Sequence, residues 1–418
     1  MGSGNQIMAI GLFTMVFIMI GINLRAFKVG VERISSIAAS LVLTAFTTDF
    51  LEIFISSAIV GMGRYLTEFA VQYLILFIGH SIVLSFIVYG MVVVYRKLFP
   101  PYQMLEIYGT SSHNLGSKIN GIWYKYHIVE RVHYSTNEEI IRRKICEYDA
   151  VIINDIPAHE KNRMLKACLD LDKRVYFLPK ISDVIVHSAE ELNLIDTPLY
   201  FSRNIGIGVI ESGIKRVADI VFSLCALILT SPILLITAIA IHAEDGGPVF
   251  FRQERCTLNE RRFEILKFRS MIVDAEKDGR PHPAGVRDER ITRIGRIIRP
   301  TRIDELPQLI NILKGDMSLV GPRPERVEHV VRYTEMIPEF RFRHKVKGGL
   351  TGYAQVYGKY NTEALDKLKL DLMYIMNYSL LLDIQIIFET VKILLRKEST
   401  EGFSQENARE MHDAGVKR

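Results

Sequence analysis

Cysteine is scarce in this chain and unpatterned. Cys146, Cys168, Cys225 and Cys256 are scattered through 418 residues with no C-x-x-C pair. That excludes a disulfide framework and a thiolate zinc site, and fits a reducing compartment. The first apolar run lacks a basic leader and an A-x-A-like site, so it is not read as a cleaved signal peptide. The dinucleotide fingerprint G-x-G-x-x-G is missing: the nearest stretch, Gly109 to Gly116, has the wrong glycine spacing. Gly352 to Lys359 is one residue too long for a P-loop, and no Ser or Thr follows the lysine. There is no internal repeat and no low-complexity segment. The net charge of +5 is modest, and no nucleic acid is expected among the partners.

What is abundant is apolar sequence, and it is local. Hydrophobic residues make up 49% of the chain and the mean hydropathy is +0.15. Three runs, about 7–24, 34–60 and 68–95, each reach the roughly 20 residues needed to cross a bilayer. Asp49 and Glu52 interrupt the second run, which leaves room for an interfacial bend. Arg25, Lys28 and Arg33 lie between the first two runs, and Arg96 and Lys97 follow the third, whereas the loop between the second and third offers only Arg64. The positive-inside rule then puts everything after residue 96 in the cytoplasm. Residues 1–98 are assigned to transmembrane helices, so the expected location is a multi-pass protein of the bacterial cytoplasmic (inner) membrane.

Residues 99–205 read as a soluble α/β domain. Met104–Tyr108 is followed by Gly109–Gly116 and then by helical and strand-like segments; Val151–Asp155 and Val175–Pro179 have the character of buried parallel strands, with a helical run over about 158–170 between them. That alternation predicts a Rossmann-like sheet without a dinucleotide site. His113, His127, His133, His159 and His187 show no ligand spacing.

A further domain is expected over 206–400, with a polar tail at 401–418. It opens with an almost continuous apolar run, Val217–Ile241. Basic residues flank both ends, Lys215 and Arg216 before it and Arg252, Arg255, Arg261 and Arg262 after it. Both flanks therefore prefer the cytoplasmic side. Ser231-Pro232 sits mid-segment, where proline removes a helix hydrogen bond. A helix, a break and a second helix over about 214–242, dipping into one leaflet and returning, satisfies both facts; an ordinary kinked span is the alternative. Beyond it, Pro248–Gln253 and Phe263–Arg269 look like short strands, Asp274–Asp288 like a loop, and Leu365–Tyr378 and Ile384–Leu395 like helices. Arg287, Arg290, Arg293, Arg296, Arg299 and Arg302 recur every third residue. On a helix that spacing drifts by about 60° per step, so some face a site and others solvent or lipid.

The densest chemistry lies between Arg299 and Pro324. Asp304 and Glu305 are adjacent carboxylates. Leu306, Leu309, Ile310 and Leu313 repeat at helical spacing, predicting an amphipathic helix over about 305–314 that stops at Gly315. The pair thus sits at a helix N-terminus, where the macrodipole favours anions; a cap and a first-turn acid is the plainer account. Arg299 and Arg302 beside it match phosphate oxygens through their guanidinium forks. Arg323, between Pro322 and Pro324, is fixed on both sides. Gly348-Gly349-Leu350-Thr351-Gly352 offers backbone amides to an anion.

These blocks, in order over about 213–400, resemble the bacterial sugar transferases known as monotopic phosphoglycosyl transferases, or polyprenyl-phosphate sugar-1-phosphate transferases, in their large form with N-terminal transmembrane helices. The resemblance rests on Lys267-Phe268-Arg269-Ser270-Met271, Thr292-Arg293-Ile294-Gly295-Arg296, the Asp304–Asn311 motif D-E-L-P-Q-L-x-N, Gly315–Pro324, Gly349–Val356 and Ser379-Leu380-x-Leu382-Asp383-Ile384. Larger members of that family begin with four spans, one more than the runs seen here.

The resemblance implies a mostly helical monotopic catalytic domain, and a re-entrant membrane helix broken at Ser231 and Pro232. It implies a two-step transfer: Asp304 attacks the sugar-bearing phosphate of a UDP-sugar, releases UMP, and passes the sugar phosphate to polyprenol (undecaprenyl) phosphate held among membrane lipids. Asp304 and Glu305 are then the catalytic pair and the ligands of Mg²⁺; Lys267, Arg269, Arg299, Arg302 and Arg323 bind substrate phosphate. The product would initiate an exopolysaccharide, capsule or other glycan. Two rivals stand beside this reading: a nucleotide-binding protein acting through the middle domain, and a non-catalytic scaffold of polysaccharide export. The oligomer open to the chain is a homodimer through the middle domain.

Overall fold

The computed structural model describes residues 3–30, 32–60, 66–109, 115–194, 196–202, 206–273, 275, 288–358 and 362–394. Arg64, His113, Arg287, nearly all of the expected loop at 274–288 and the polar tail lie outside the described residues. The chain divides into two units, Met1–Lys180 and Ile181–Arg418.

The first unit opens with three helices, α1 (Ser3–Asn23), α2 (Ile34–Val60) and α3 (Leu66–Leu98). Each is long and apolar enough to cross a membrane. Asp49 and Glu52 do not bend α2. The helix runs through them because their side chains are buried between helices, with Asp49 facing His80 of α3 at 3.3 Å. The buried face of α2 repeats every four residues through Ser36, Ser40, Thr44, Thr48, Glu52 and Ser56, and the small serines and threonines among them let membrane helices approach closely.

After Phe99-Pro100-Pro101 come β1 (Tyr102–Tyr108), α4 (Leu115–Asn120), β2 (Tyr126–His133), α5 (Glu138–Glu147), β3 (Ala150–Asn154), α6 (Ala158–Asp170) and β4 (Arg174–Phe177). The strands form one parallel sheet in the order β2-β1-β3-β4. Leu105, Ile107, Val151 and Ile153 alternate onto the face covered by Ile141 and Ile145 of α5 and Met164 and Cys168 of α6. Parallel strands need such crossover helices. Inside the sheet, buried Glu106 accepts from Arg131 Nε at 2.7 Å and Asn154 Nδ2 at 2.8 Å.

The second unit begins with α7 (Ile181–His187), whose Val184 packs on Phe340, Leu368 and Leu372, and with a hairpin of β5 (Glu190–Leu194) and β6 (Thr197–Phe201). Then comes α8 (Val209–Asp245), 37 residues and about 55 Å long at 1.5 Å per residue. Helical structure is continuous through Ser231 and Pro232, in contrast to the expected helix, break and helix. Ser231 Oγ bonds the Ile228 carbonyl at 2.8 Å, a local contact within the helix. The strands β7 (Phe250–Cys256) and β8 (Arg262–Phe268) form an antiparallel hairpin. They are followed by α9 (Gly295–Ile298), α10 (Gln308–Lys314), β9 (Ser318–Val320), α11 (Val327–Met336), β10 (Gly349–Thr351), α12 (Tyr353–Tyr357), α13 (Ala364–Met376) and α14 (Leu380–Leu394). Phe263 and Ile265 of β8 meet Leu309 and Ile312 of α10 in one core, joined by Ala226 and Leu227 of α8.

Candidate active site

The amphipathic pattern around residue 305 resolves into two pieces. Ile303–Glu305 is a single 3-10 turn, and α10 begins only at Gln308, because Pro307 lacks the amide to extend the turn. Gly315 closes α10 at φ 92°, a conformation suited to glycine. Arg302, just before the turn, also holds a left-handed backbone at φ 57°, an uncommon state for a side-chain-bearing residue. That sharp entry turns Glu305 inward, where it is buried.

Three cations converge on Glu305. Lys267 Nζ donates to its Oε1 at 2.7 Å and Arg323 Nη2 donates to the same oxygen at 2.8 Å. Arg302 Nη1 approaches Oε2 at 3.5 Å. Each partner is itself held. Lys267 sits on β8, and Asn311 of α10 ties that strand down by accepting from Leu266 N at 2.9 Å and donating to Glu264 O at 2.8 Å. Arg323 Nη1 donates to Gln355 Oε1 at 3.2 Å. The Arg323 carbonyl accepts from Arg343 Nη2 at 2.9 Å, and the next carbonyl, of Pro324, from Arg255 Nη1 at 3.1 Å. Gly352 completes the frame: a Cβ there would lie 2.0 Å from the Gly321 carbonyl, so only glycine lets these two segments approach.

The two adjacent carboxylates are therefore electrostatically different. Burial alone would raise the Glu305 pKa, but Arg323, Lys267 and Arg302 reverse that and hold it well below the ordinary value. Asp304 goes the other way. Burial, and then the neighbouring Glu305 charge, push its pKa up to about 6 against the pull of Lys267, Arg302 and Arg299. Burial also lowers the Lys267 pKa, opposed by Glu305 and aided by Arg323. Among the described residues nothing hydrogen-bonds the Asp304 carboxylate. One acid is thus locked and favoured in its ionised form, while its neighbour has no hydrogen-bond partner and a pKa pushed up to about 6. Such a divergence between adjacent acids is a mark of functional sites.

No cluster of three or more His, Cys, Asp or Glu side chains suited to a metal occurs among the described residues. Mg²⁺ does not require one: it keeps several waters and is held through one or two carboxylates plus substrate phosphates. The hard oxygens of Asp304, free of protein partners, fit that donor set.

Residues 210–397 match the family model described as bacterial sugar transferase. A UDP-glucose:undecaprenyl-phosphate glucose-1-phosphate transferase of Caulobacter vibrioides is 44% identical over 191 residues, spanning 44% of this chain and 71% of that protein. The chain belongs to the bacterial sugar transferase family. A UDP-N-acetylgalactosamine-undecaprenyl-phosphate N-acetylgalactosaminephosphotransferase of Aeromonas hydrophila is 39% identical over 262 residues, 59% of each chain. A UDP-glucose:undecaprenyl-phosphate glucose-1-phosphate transferase of Klebsiella pneumoniae is 40% identical over 236 residues, 54% of this chain and 50% of that one. The chain thus spans about half the length of these two relatives.

Within the family domain the structure gathers Lys267, Arg302, Asp304, Glu305 and Arg323, with Arg299 near enough to act on the Asp304 charge. Arg269 goes elsewhere. It is buried against Asp245 and the Ile241 carbonyl at the end of α8, so it anchors that helix instead of facing the carboxylates. Two of the glycine amides expected to cradle an anion are taken: Gly348 N donates to Thr257 Oγ1 at 3.1 Å and Gly349 N to Pro322 O at 2.9 Å. Arg343, Gln355, Asn311 and Arg255 were not singled out from the sequence. Gln355 and Asn311 lie inside the family blocks; Arg343 and Arg255 carry no sequence signal beyond their charge.

Proposed function

We propose that the second unit is a polyprenyl-phosphate sugar-1-phosphate transferase working by two displacements at Asp304. The observation that carries this reading is the unpartnered Asp304 carboxylate beside a Glu305 saturated by three cations. With a pKa of about 6, Asp304 is largely ionised at neutral pH and has free oxygens. One of them forms a bond to the sugar-bearing phosphorus of a UDP-sugar. The bond from that phosphorus to the bridging oxygen breaks, its electron pair leaves with UMP, and a sugar-phosphoryl aspartate remains. An oxygen of polyprenol phosphate then attacks the same phosphorus, giving the polyprenyl diphosphosugar and restoring Asp304. Splitting the transfer means the water-soluble and lipid substrates need not be bound together.

Arg323, Lys267, Arg302 and Arg299 balance charge on the phosphate oxygens. Glu305 fixes Arg323 and Lys267 in place. Mg²⁺, held by the free oxygens of Asp304 and the diphosphate, would supply a further hard cation for that charge; Glu305, expected as a second ligand, has its oxygens on Lys267, Arg323 and Arg302 instead.

The packing of α8 supports a membrane-bound site that does not cross the bilayer. At its start Lys215 pairs with Asp383, Arg216 donates to the Ile312 and Leu313 carbonyls at 2.6 and 2.7 Å, and Asp219 accepts from Ser318 Oγ and Leu319 N. At its end Glu244 accepts from Arg293 N at 2.7 Å and Asp245 pairs with Arg269. Both ends thus hold the same polar body, which does not extend through hydrocarbon. The other face exposes Val217, Val221, Phe222, Leu229 and Ile236, which we assign to one leaflet, where the lipid substrate lies. In this reading α8 keeps both ends on the cytoplasmic side, with the site.

The test is UMP release from a panel of UDP-sugars by purified protein with polyprenol phosphate and Mg²⁺, alongside Asp304→Asn. Release by wild type alone, with a phosphosugar adduct on Asp304 in the intact mass, is the expected result. No release from any sugar by folded protein would sink the enzyme reading and favour a scaffold.

A further inference from the structure

The chain has one tryptophan, Trp123, and its placement is unusual. It lies in the turn between α4 and β2, outside the family domain, with its side chain 67% exposed. Arg96, on the last turn of the membrane helix α3, stacks over the Tyr124 ring at 4.1 Å and reaches the Trp123 ring at 5.8 Å. The two rings themselves meet edge to face at 6.0 Å. Tyr95 and Phe99, flanking Arg96, pack ring on ring at 4.8 Å.

The turn cannot stand far from the bilayer. Phe99, Pro100 and Pro101 alone separate α3 from β1, and two consecutive prolines stiffen that link. Tyr102 N, the first strand residue, donates to Lys125 O at 2.9 Å, which fastens the turn to the end of the link. The loop between α1 and α2 joins the same patch: Arg33 and Glu32 act on Tyr124, and Gly30 sits so close to Tyr95 that a Cβ would lie 2.4 Å from its hydroxyl. Arg96 and Arg33 stand close to the Tyr124 ring, with the acid Glu32 beside them, and the same two segments carry Lys97, Lys28 and Arg25. Leu98 and Phe99 are exposed beside them, 67% and 57%.

We propose that Trp123 and Tyr124, gripped by Arg96, form a lipid anchor that lays this edge of the parallel sheet on the anionic surface of the bilayer. Indole and phenol rings partition to the headgroup level, having an apolar body and a polar tip. The basic rim is complementary to anionic headgroups, and Arg96 links the anchor to the membrane helix itself. The occupant is the bilayer of the chain's own membrane. That edge of the sheet is thereby held at the surface instead of swinging on a tether, whatever reaction the second unit catalyses.

The single tryptophan makes the test direct. Full-length protein is reconstituted in vesicles of phosphatidylcholine and phosphatidylglycerol, one set brominated near the top of the acyl chains. The expected result is blue-shifted Trp123 emission that loses at least half its intensity in the brominated vesicles and resists quenching by iodide. Arg96→Gln, which frees the turn, should raise iodide access and reduce the loss from bromine. Emission indifferent to bromine overturns the proposal, whether iodide reaches the ring freely, as for a ring in water, or not, as for a ring covered by protein. Trp123→Phe, which removes the signal, confirms its source.

Discussion

Arg343 sets the backbone of Arg323. Its side chain, 1% exposed, donates to the Arg323 carbonyl at 2.9 Å and pairs with Asp371 at 2.8 Å. The arginine that clamps Glu305 is thus positioned by a second arginine that takes no part in the site. Arg343→Met should leave Asp371 buried and unpaired, at a cost of about 3–5 kcal/mol. Adding Asp371→Leu removes the orphaned charge and should restore most of the melting temperature, while KM for the nucleotide substrate stays raised because the Arg323 loop remains loose. Thermal unfolding and UMP-release kinetics read the two effects separately.

The Asp304 carboxyl titrates at about 6 in the folded protein. On the proposed mechanism the acid limb of kcat/KM in the free enzyme should therefore fall near that pH, since protonation would remove the proposed nucleophile.

Stability carries the opposite sign. A carboxyl whose folded pKa is raised binds its proton more tightly when folded, so stability is greatest at low pH and is lost as pH rises through about 6. Asp304→Asn should be more stable than wild type at about pH 8, by on the order of 1 kcal/mol, with the two converging near pH 4. Melting temperature against pH measures this.

Glu305→Gln and Lys267→Met should move that acid limb in opposite directions. Glu305 raises the Asp304 pKa and Lys267 lowers it. The limb therefore moves below its wild-type position in the first variant and above it in the second. A merely structural lesion would depress rate without this paired shift.

Single cysteines at Ser212, in the first turn of α8, and at Arg252, beyond its end, should react with an impermeant maleimide from the same face of the membrane in a background lacking the native thiols. Labelling from opposite faces would make α8 a span and remove its one-leaflet placement.

Much of this molecule was legible as a string. Long apolar runs report membrane helices because hydrocarbon tolerates little else. The continuous apolar run of Val151–Ile153 and the helical period of Ala158–Asp170 mark the parallel sheet, and the motif from Asp304 to Asn311 marks the candidate site. Each of these signals is local, since period and composition act within a dozen residues. What the sequence could not supply was the partner of each charge. Arg269 and Lys267 are two residues apart in one motif, yet Arg269 anchors α8 at Asp245 while Lys267 reaches Glu305. Arg323 stands out in the sequence between two prolines, but nothing in the string shows that Arg343 is buried behind it and holds its carbonyl. An ion pair depends on position in space, and tertiary packing alone brings residue 267 beside 305, or residue 343 beside 371. The unequal acidity of Asp304 and Glu305 has the same origin: it depends on which neighbour those cations touch, and only the folded chain decides that.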